Sequence, residues 1–217
     1  MRKIYLSKNA GAPLLEYLSS AGRALELIDT QGITYSAVSS HTDIFCCRMG
    51  AGESAEIFLG DTAELGFNYP ENVKFNAVCL DKYFIHNLKH TSPALLDEAQ
   101  KRGLELINVK QGYTKCNVVV VDGHSVITAD DGIFRALSKY SDIDVLKIRQ
   151  GFVKLSGFEY GFLGGASGRV GNEIIFNGNL AAPPDFDVIC EFIKSRGLEV
   201  RYFPEYELED IGSIIAE

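Results

Sequence analysis

Short hydrophobic runs recur in groups along the chain, and most groups follow an amphipathic stretch with helical periodicity. Residues 91–103 are the clearest such stretch. Ser92 is a good N-cap, Pro93 suits the first helical turn, and Gly103 is typical of a helix end. We therefore predict a helix here and a strand directly after it, at residues 104–109.

A hairpin is predicted next. Residues 118–121 are four valines, which favours a strand at residues 117–121 that is buried on both faces. Asp122 and Gly123 form a strong two-residue turn, and residues 124–128 return as the partner strand. The unit is thus a helix, a strand and a hairpin.

The same unit recurs along the chain. Further helices are predicted at residues 12–22, 129–140 and 184–196, and each precedes a strand and a hairpin. One copy has lost its helix and keeps only a hairpin at residues 72–87. The five repeats form a single domain and span residues 11–61, 62–90, 91–129, 130–178 and 179–217, with a strand at residues 3–7 completing the last.

A repeated unit of this kind cannot bury both of its faces alone, whereas stacked neighbours can. Five copies in 217 residues predict a fivefold pseudo-symmetric α/β propeller, with helices outside and β-hairpins lining a central channel. The alternative is an open α/β sandwich in which the similarity of the segments is accidental.

Composition narrows the possible partners. Hydrophobic residues make up 46% of the chain and charged residues 23%, which is typical of a globular domain. The net charge is −8 and basic residues are not clustered, so no nucleic-acid partner is expected. The apolar runs are too short to span a bilayer, and the N-terminus lacks the hydrophobic run of a signal peptide. Five cysteines without C-x-x-C spacing suggest free thiols in a cytoplasmic protein, with no metal site and no cofactor.

Two stretches resemble a known family. Residues 112–133 resemble the third blade of proteins with the pentein fold, and residues 157–168 lie where these proteins carry a blade-four motif. Penteins include deiminases, hydrolases and amidinotransferases that modify guanidino groups, and also a ribosome-binding factor without enzymatic activity. The resemblance implies five ββαβ units around an axis, and it places this chain in an uncharacterised bacterial branch of the superfamily.

The chain departs from the catalytic members of that family at two places. Those enzymes resemble one another in having a nucleophilic Cys in the last blade, where this chain has Ser213 nearest the position. They also have a His in blade four, where this chain offers Glu159 instead. The standard nucleophile and base are therefore missing.

Other residues are candidates for a central site, because the start of each inner hairpin strand should face the axis. Cys116 is a candidate nucleophile, since the neighbouring Lys115 would lower the pKa of its thiol. His41 is a candidate base, and as part of a strand it would point to the same side as Asp43. The proposed ligand-binding residues are Asp43, Asn76, Asn117, Glu159, Ser167, Glu209 and Asp210.

Three functions remain open. Acidic residues suit the binding of a small cationic or guanidino ligand without catalysis. A hydrolase or amidinotransferase with a relocated Cys is the first alternative, and a propeller that serves protein interactions is the second. Each of these thiols, acids and glycines also has a plain structural role in a core or turn. The sequence does not indicate an oligomeric state.

Overall fold

The computed structural model describes residues 3–52 and 54–217. Its strands are short, with at most five residues each. They are β1 (Lys3–Ser7), β2 (Ala24–Ile28), β3 (Cys46–Met49), β4 (Glu56–Leu59), β5 (Val78–Cys79), β6 (Tyr83–His86), β7 (Glu105–Asn108), β8 (Val118–Val120), β9 (Ser125–Thr128), β10 (Asp144–Lys147), β11 (Ser167–Val170), β12 (Glu173–Phe176), β13 (Glu199–Arg201) and β14 (Ile215–Ala216). The helices are α1 (Ala12–Ser20), α2 (Thr42–Phe45), α3 (Pro93–Lys101), α4 (Thr114–Asn117), α5 (Asp131–Leu137) and α6 (Phe186–Lys194).

The strands form five small sheets, four of three strands and one of two. In each three-stranded sheet the middle strand has one antiparallel and one parallel neighbour. We call the antiparallel neighbour the inner strand and the parallel neighbour the outer strand. Their orders are β14–β1–β2, β5–β6–β7, β8–β9–β10 and β11–β12–β13. The fifth sheet is the hairpin β3–β4. The mixed α/β class is therefore confirmed, and the five sheets are consistent with a fivefold repeated arrangement.

The longer helices follow from the parallel pairs, because parallel strands need a crossover connection. In each three-stranded sheet a helix, α1, α3, α5 or α6, joins the middle strand to the outer one. The start of α3 is capped as predicted: the Oγ of Ser92 accepts a hydrogen bond from the N–H of Leu95. Gly103 follows its C-cap residue Arg102 and terminates the helix, because its φ of +72° lies in the left-handed region that favours glycine.

The two-stranded sheet β3–β4 comes directly before the segment in which a helix is missing. Between β4 and β5 lie residues 60–77, all of which are described, and their only helical element is the 3₁₀ turn Thr62–Glu64. The chain therefore passes from one inner hairpin to the next without a crossover helix or an outer strand. This matches the weak second copy in the sequence.

Strands from opposite ends of the sequence share a sheet. Ile4 of β1 pairs with Ala216 of β14, and Tyr5 pairs with Ile215. Both strands are mostly buried. Within residues 3–52 and 54–217, no helix combines the length and the apolar character needed to cross a bilayer.

Two local predictions are wrong. Residues 41–43 were expected in or beside an extended strand, but His41 is the N-cap of α2 and Asp43 lies inside it. Asn117 was expected to begin a strand, but it is the last residue of α4. In both places a single helical turn leads into an inner strand, and four residues are too few to show helical periodicity in a sequence.

Candidate functional site

Polar side chains that precede the inner strands meet at one point. Asp43, Asn76, Cys116 and Ser213 each lie two or three positions before the start of β3, β5, β8 or β14. The Sγ of Cys116 donates to Oδ2 of Asp43 at 3.0 Å, and Nδ2 of Asn76 donates to that Sγ at 3.3 Å. The Oγ of Ser213 also lies 2.7 Å from Oδ2 of Asp43. We call these four residues, together with His41 and Asp210, the central cluster.

Asp43 is the hub of the central cluster. Its side chain is fully buried, and its Oδ2 accepts both the thiol of Cys116 and the hydroxyl of Ser213. Burial raises the pKa of Asp43, an effect that the nearby His41 and Lys115 oppose. Among the described residues, Oδ1 of Asp43 has no hydrogen-bond partner. Asp43 therefore has a buried hydrogen-bond acceptor, Oδ1, that none of the described residues uses.

Lys115 does not activate Cys116 as the sequence suggested. Its amine lies 3.0 Å from the Oγ of Ser213 and 3.3 Å from the carbonyl oxygen of Gly164. Burial, followed by the charges of Asp43 and Asp210, raises the pKa of the Cys116 thiol well above its ordinary value. The expected lowering of this pKa is wrong, because the thiol is enclosed and faces acids.

His41 and Asp210 form the second half of the cluster. The Nδ1 of His41 lies 3.8 Å from Oδ1 of Asp210, and both side chains are buried. Asp210 accepts the backbone N–H groups of Phe162 and Gly212 at 2.9 and 3.0 Å. Burial raises the pKa of Asp210 to about 6 and lowers the pKa of His41. With a pKa of about 6 the acid is mainly ionised at pH 7, and the lowered pKa of His41 favours the neutral imidazole.

Glycine allows His41 to approach the last segment of the chain. Gly212 has a φ of +72°, and a Cβ at this position would lie 2.1 Å from the Cβ of His41. A side chain would therefore push His41 away from the cluster.

An aromatic cavity of about 120 Å³ opens above the cluster. Three residues of the central cluster line it, namely His41, Cys116 and Asp210, and we call this side of the cavity its floor; Val38 and Leu155 also line it. Five aromatic rings line the walls: Tyr35, Tyr113, Phe158, Tyr160 and Phe162. The hydroxyls of Tyr35 and Tyr113 are 2.7 Å apart and join two walls by a hydrogen bond. We call this space the aromatic cavity.

A more polar cavity of about 350 Å³ lies beside the aromatic cavity. The two share His41, Leu155 and Asp210, so His41 and Asp210 are reached from both sides. Ser7, Ser40 and Glu209 also line the polar cavity. The cluster therefore has two neighbouring approaches, one aromatic and one polar.

Comparison with known proteins gives one match. A model for a "Family of unknown function (DUF6873)" matches residues 5–215. The chain belongs to the DUF6873 family. No curated protein and no solved structure matches it. The match covers every residue of the central cluster, so this DUF6873 chain carries the whole site within the family region.

The structure of this DUF6873 chain brings five of the predicted site residues together. They are the two proposed catalytic residues and three of the proposed ligand-binding residues: His41, Cys116, Asp43, Asn76 and Asp210. Their proximity is a finding, whereas their roles stay predictions.

Four predicted ligand-binding residues lie elsewhere. The side chain of Asn117 donates to the carbonyl oxygen of Tyr113 and faces a different cavity, because it ends a helical turn. Glu159 is exposed on a loop. Ser167 is buried at the start of β11, where its Oγ bonds the carbonyl oxygen of Gly164 at 3.3 Å. Glu209 lines only the polar cavity and lies 3.8 Å from the amine of Lys154.

Two residues of the site region, Ser213 and Lys115, were not among the site residues predicted from the sequence. Ser213 bonds Asp43 and has a φ of +73°, a left-handed conformation that is uncommon for serine and is held here by its surroundings. Lys115 was considered only as a neighbour of Cys116. A signal for Ser213 existed, since it lies two positions before β14 just as Cys116 lies two before β8.

Proposed function

We propose that the chain binds a small organic cation, a guanidinium or primary ammonium compound, in the aromatic cavity. The observation that carries this proposal is the presence of Asp210, a buried acid, among the residues that line the cavity. Its pKa of about 6 keeps it charged at pH 7. A buried charge is costly unless a partner of opposite sign is present, and a cationic ligand would supply that partner.

The protein groups around Asp210 leave room for such a ligand. The backbone N–H groups of Phe162 and Gly212 bond the carboxylate without neutralising it. His41 is neutral because burial lowers its pKa. The charge of Lys115 also acts on Asp210, but the Lys115 amine makes its hydrogen bonds to Ser213 and to backbone carbonyl groups, which leaves the carboxylate without a direct ion pair to this lysine.

The walls of the cavity favour the same class of ligand. A cation within about 6 Å of an aromatic ring gains roughly 0.5–2 kcal/mol from the ring face. The rings of Tyr35 and Phe158 are 6.1 Å apart between centroids, and both line the cavity. Aromatic walls above a carboxylate also suit the apolar stem that accompanies most guanidinium and ammonium groups.

The finer description of the fold is part of this proposal. We propose that the five sheets close into a pentein-like propeller with the central cluster on its axis. In support, β14 lies beside both β3 and β11, while β3 lies beside β5 and β11 beside β8. The hydrogen bonds between Asp43, Asn76, Cys116 and Ser213 also join turns from four different units.

One observation favours covalent catalysis as a second candidate. Cys116 and His41 face the same cavity, so a bound guanidinium carbon would lie between a thiol and an imidazole. The raised pKa of Cys116 weakens this candidate in the ligand-free protein. The nearby positive charge of a bound guanidinium would favour the thiolate and so lower that pKa.

Calorimetric titration with arginine, agmatine and methylated guanidines tests the proposal. We expect one site per chain and a rise in melting temperature with the compound that binds. Asp210→Asn should weaken binding at least about tenfold, because it removes the buried charge partner. Glu207→Gln, an exposed acid three positions away that also pairs with Lys154, should bind like the parent protein.

Two results decide between the alternatives. If none of these compounds binds, or if Asp210→Asn binds as tightly as the parent protein, the proposal is wrong. If a bound compound also releases ammonia, urea or an amine, and Cys116→Ser abolishes that release but not binding, the covalent candidate replaces simple binding.

A further inference from the structure

Three potential metal ligands converge at the floor of the aromatic cavity. A ring nitrogen of His41, a carboxylate oxygen of Asp43 and the Sγ of Cys116 all lie within 4.8 Å of one another. The three side chains are at most 3% exposed. Imidazole, carboxylate and thiolate are the ligand types that Zn²⁺ prefers. We propose that His41, Asp43 and Cys116 bind a divalent transition-metal ion, with Zn²⁺ as the best match.

The spacing suits a tetrahedral site. Bond lengths of about 2.0–2.3 Å place the ligand atoms of a tetrahedral zinc site about 3.3–3.7 Å apart. The three ligand atoms lie within 4.8 Å of one another, and the Sγ of Cys116 is 3.0 Å from Oδ2, the other oxygen of the Asp43 carboxylate. Small side-chain movements therefore bring all three atoms to bonding distance.

Unpartnered polar atoms point to a ligand independently of the spacing. Within the described part of the chain, Nδ1 of His41 and Oδ1 of Asp43 are buried and lack a hydrogen-bond partner. Buried polar atoms are nearly always bonded in native proteins, so two such atoms in one cluster indicate a missing partner. A metal ion accepts the free lone pair of the carboxylate and that of the imidazole.

The neighbouring residues already occupy the positions of outer-sphere partners. The hydroxyl of Ser213 lies 2.7 Å from Oδ2 of Asp43 and orients the carboxylate, which leaves Oδ1 for the metal. The Oδ1 of Asp210 lies 3.8 Å from Nδ1 of His41, so it adds a negative charge beside the nitrogen that binds the metal. Partners of this kind fix the orientation of metal ligands.

The binding step balances in charge and protons. The metal–sulfur bond forms as the S–H bond of Cys116 breaks, and the proton leaves to solvent. The ion then brings two positive charges to the thiolate and the carboxylates of Asp43 and Asp210, and the amine of Lys115 interacts with the same three groups. The buried charges of the cluster are thereby neutralised.

Because His41 and Cys116 line the aromatic cavity, a fourth ligand would reach the metal from that cavity. Three protein ligands and one open position are the arrangement of catalytic rather than structural zinc sites. The metal and an organic cation share His41, Cys116 and the charge of Asp210. Binding of either should therefore weaken the other by the same factor.

Cobalt provides a spectroscopic test that needs no organic ligand. The full chain is treated with a chelator under reducing conditions, desalted and titrated with Co²⁺. We expect one equivalent to produce a sulfur-to-cobalt charge-transfer band in the near ultraviolet and intense visible bands of a tetrahedral site. Zn²⁺ should displace the cobalt and abolish both signals.

Variants assign the ligands. Cys116→Ser should lose the charge-transfer band, while Asp43→Asn and His41→Gln should each weaken cobalt binding about 10–100-fold. Cys190→Ser, a partly exposed thiol on α6, is the matched control and should change nothing. Circular dichroism and thermal unfolding verify that each variant is folded.

X-ray absorption spectroscopy of the zinc-loaded parent protein identifies the ligand atoms without any variant, so the test remains possible if a variant fails to fold. One sulfur at about 2.3 Å and two or three nitrogen or oxygen atoms at about 2.0–2.1 Å are expected. A cobalt spectrum without charge transfer, a band that survives Cys116→Ser, or a zinc shell without sulfur would overturn the metal site. The titrations with guanidines are carried out on metal-free protein, so the failure of one proposal is separable from that of the other.

Discussion

Cys116 shows how burial decides the chemistry of a residue. Its thiol is 2% exposed, bonds to an acid and has a raised pKa, so little thiolate exists near neutral pH. Cys190 is the only one of the five cysteines that is partly exposed. We expect iodoacetamide to label Cys190 well before Cys116 at pH 7.5, as measured by peptide mass spectrometry.

The matched variant for this prediction is Cys190→Ser. It should lose the rapid phase of labelling and leave the four buried thiols slow. If Cys116 is labelled first in the parent protein, its thiol is activated, and covalent catalysis becomes the better interpretation of the site.

His86 should make the fold sensitive to acid. It is fully buried in β6 between Thr91 and the carbonyl oxygen of Gly112, and burial lowers its pKa from 6.5 to about 4. Between those values the unfolded chain binds more protons than the folded one. The free energy of unfolding should therefore fall as the pH drops from about 6.5 to 4, by about 3 kcal/mol.

Urea unfolding at pH 7 and at pH 4.5 measures this effect. In His86→Gln the loss of stability between the two pH values should be clearly smaller than in the parent protein. His124→Gln is the control, because its exposed ring makes no comparable buried contacts. Equal losses in all three proteins would contradict the assignment to His86.

The contribution of Asp210 to the free energy of unfolding changes with pH in the opposite direction to that of His86. Burial raises its pKa from 3.8 to about 6, so the folded state holds a proton more tightly and loses stability as the pH rises through that range. The proposed cation requires the ionised carboxylate. Its affinity should fall about tenfold per pH unit below pH 6, as measured by calorimetry, and Asp210→Asn should show weak binding that hardly depends on pH.

At the level of elements, local chemistry made some parts of the fold predictable and others not. The cap and terminal glycine of α3 and the Asp-Gly turn before β9 are encoded within a few residues, and their elements formed as expected. The turns α2 and α4 are not encoded in that way, because their conformation depends on contacts with other units. Cys116, for example, bonds a residue 73 positions away.

The inner strands pack too closely for a side chain at one position. A Cβ on Gly168 of β11 would lie 1.8 Å from the carbonyl oxygen of Ile214, next to Ser213. Because that atom belongs to the backbone, β11 and β14 must separate to accept a methyl group. Gly168→Ala should lower the free energy of unfolding by about 1–3 kcal/mol in urea titrations and weaken ligand or metal binding at the cluster.

Gly52→Ala is the matched control for the packing prediction. Among the described residues, no atom lies within 4 Å of the position of its Cβ. We expect a change of less than about 0.5 kcal/mol. If Gly168→Ala is equally mild, the inner strands are not in the close contact described above.

At the level of the whole molecule, the repeat explains why the site could be located only roughly. Positions before each inner strand were expected to face one centre, and this gathered Asp43, Asn76 and Cys116. The same rule misplaced Asn117 by one residue, since a one-residue shift in a helical turn redirects the side chain by about 100°. Ser213 was considered only as the residue nearest the missing catalytic Cys, so the same rule was not applied to it.

The pairing of β1 with β14 leads to a test of closure by circular permutation. The N–H of Glu217 donates to the carbonyl oxygen of Lys3 at 3.0 Å, so a short Gly-Ser linker can join these residues. New ends between Ser138 and Lys139 lie in an exposed connection after α5. We expect this permutant to fold, with a melting temperature within a few degrees of the parent protein and with unchanged binding at the central cluster.

A second permutant, opened between Tyr113 and Thr114, uses the same linker but cuts the chain at the start of α4. That turn positions Cys116 and Lys115, so the second permutant should lose ligand and metal binding even where circular dichroism shows folded protein. A ring of five sheets has no preferred starting unit, whereas an open array does. An unfolded first permutant would therefore argue against closure, because its new ends disturb neither a sheet nor the cluster.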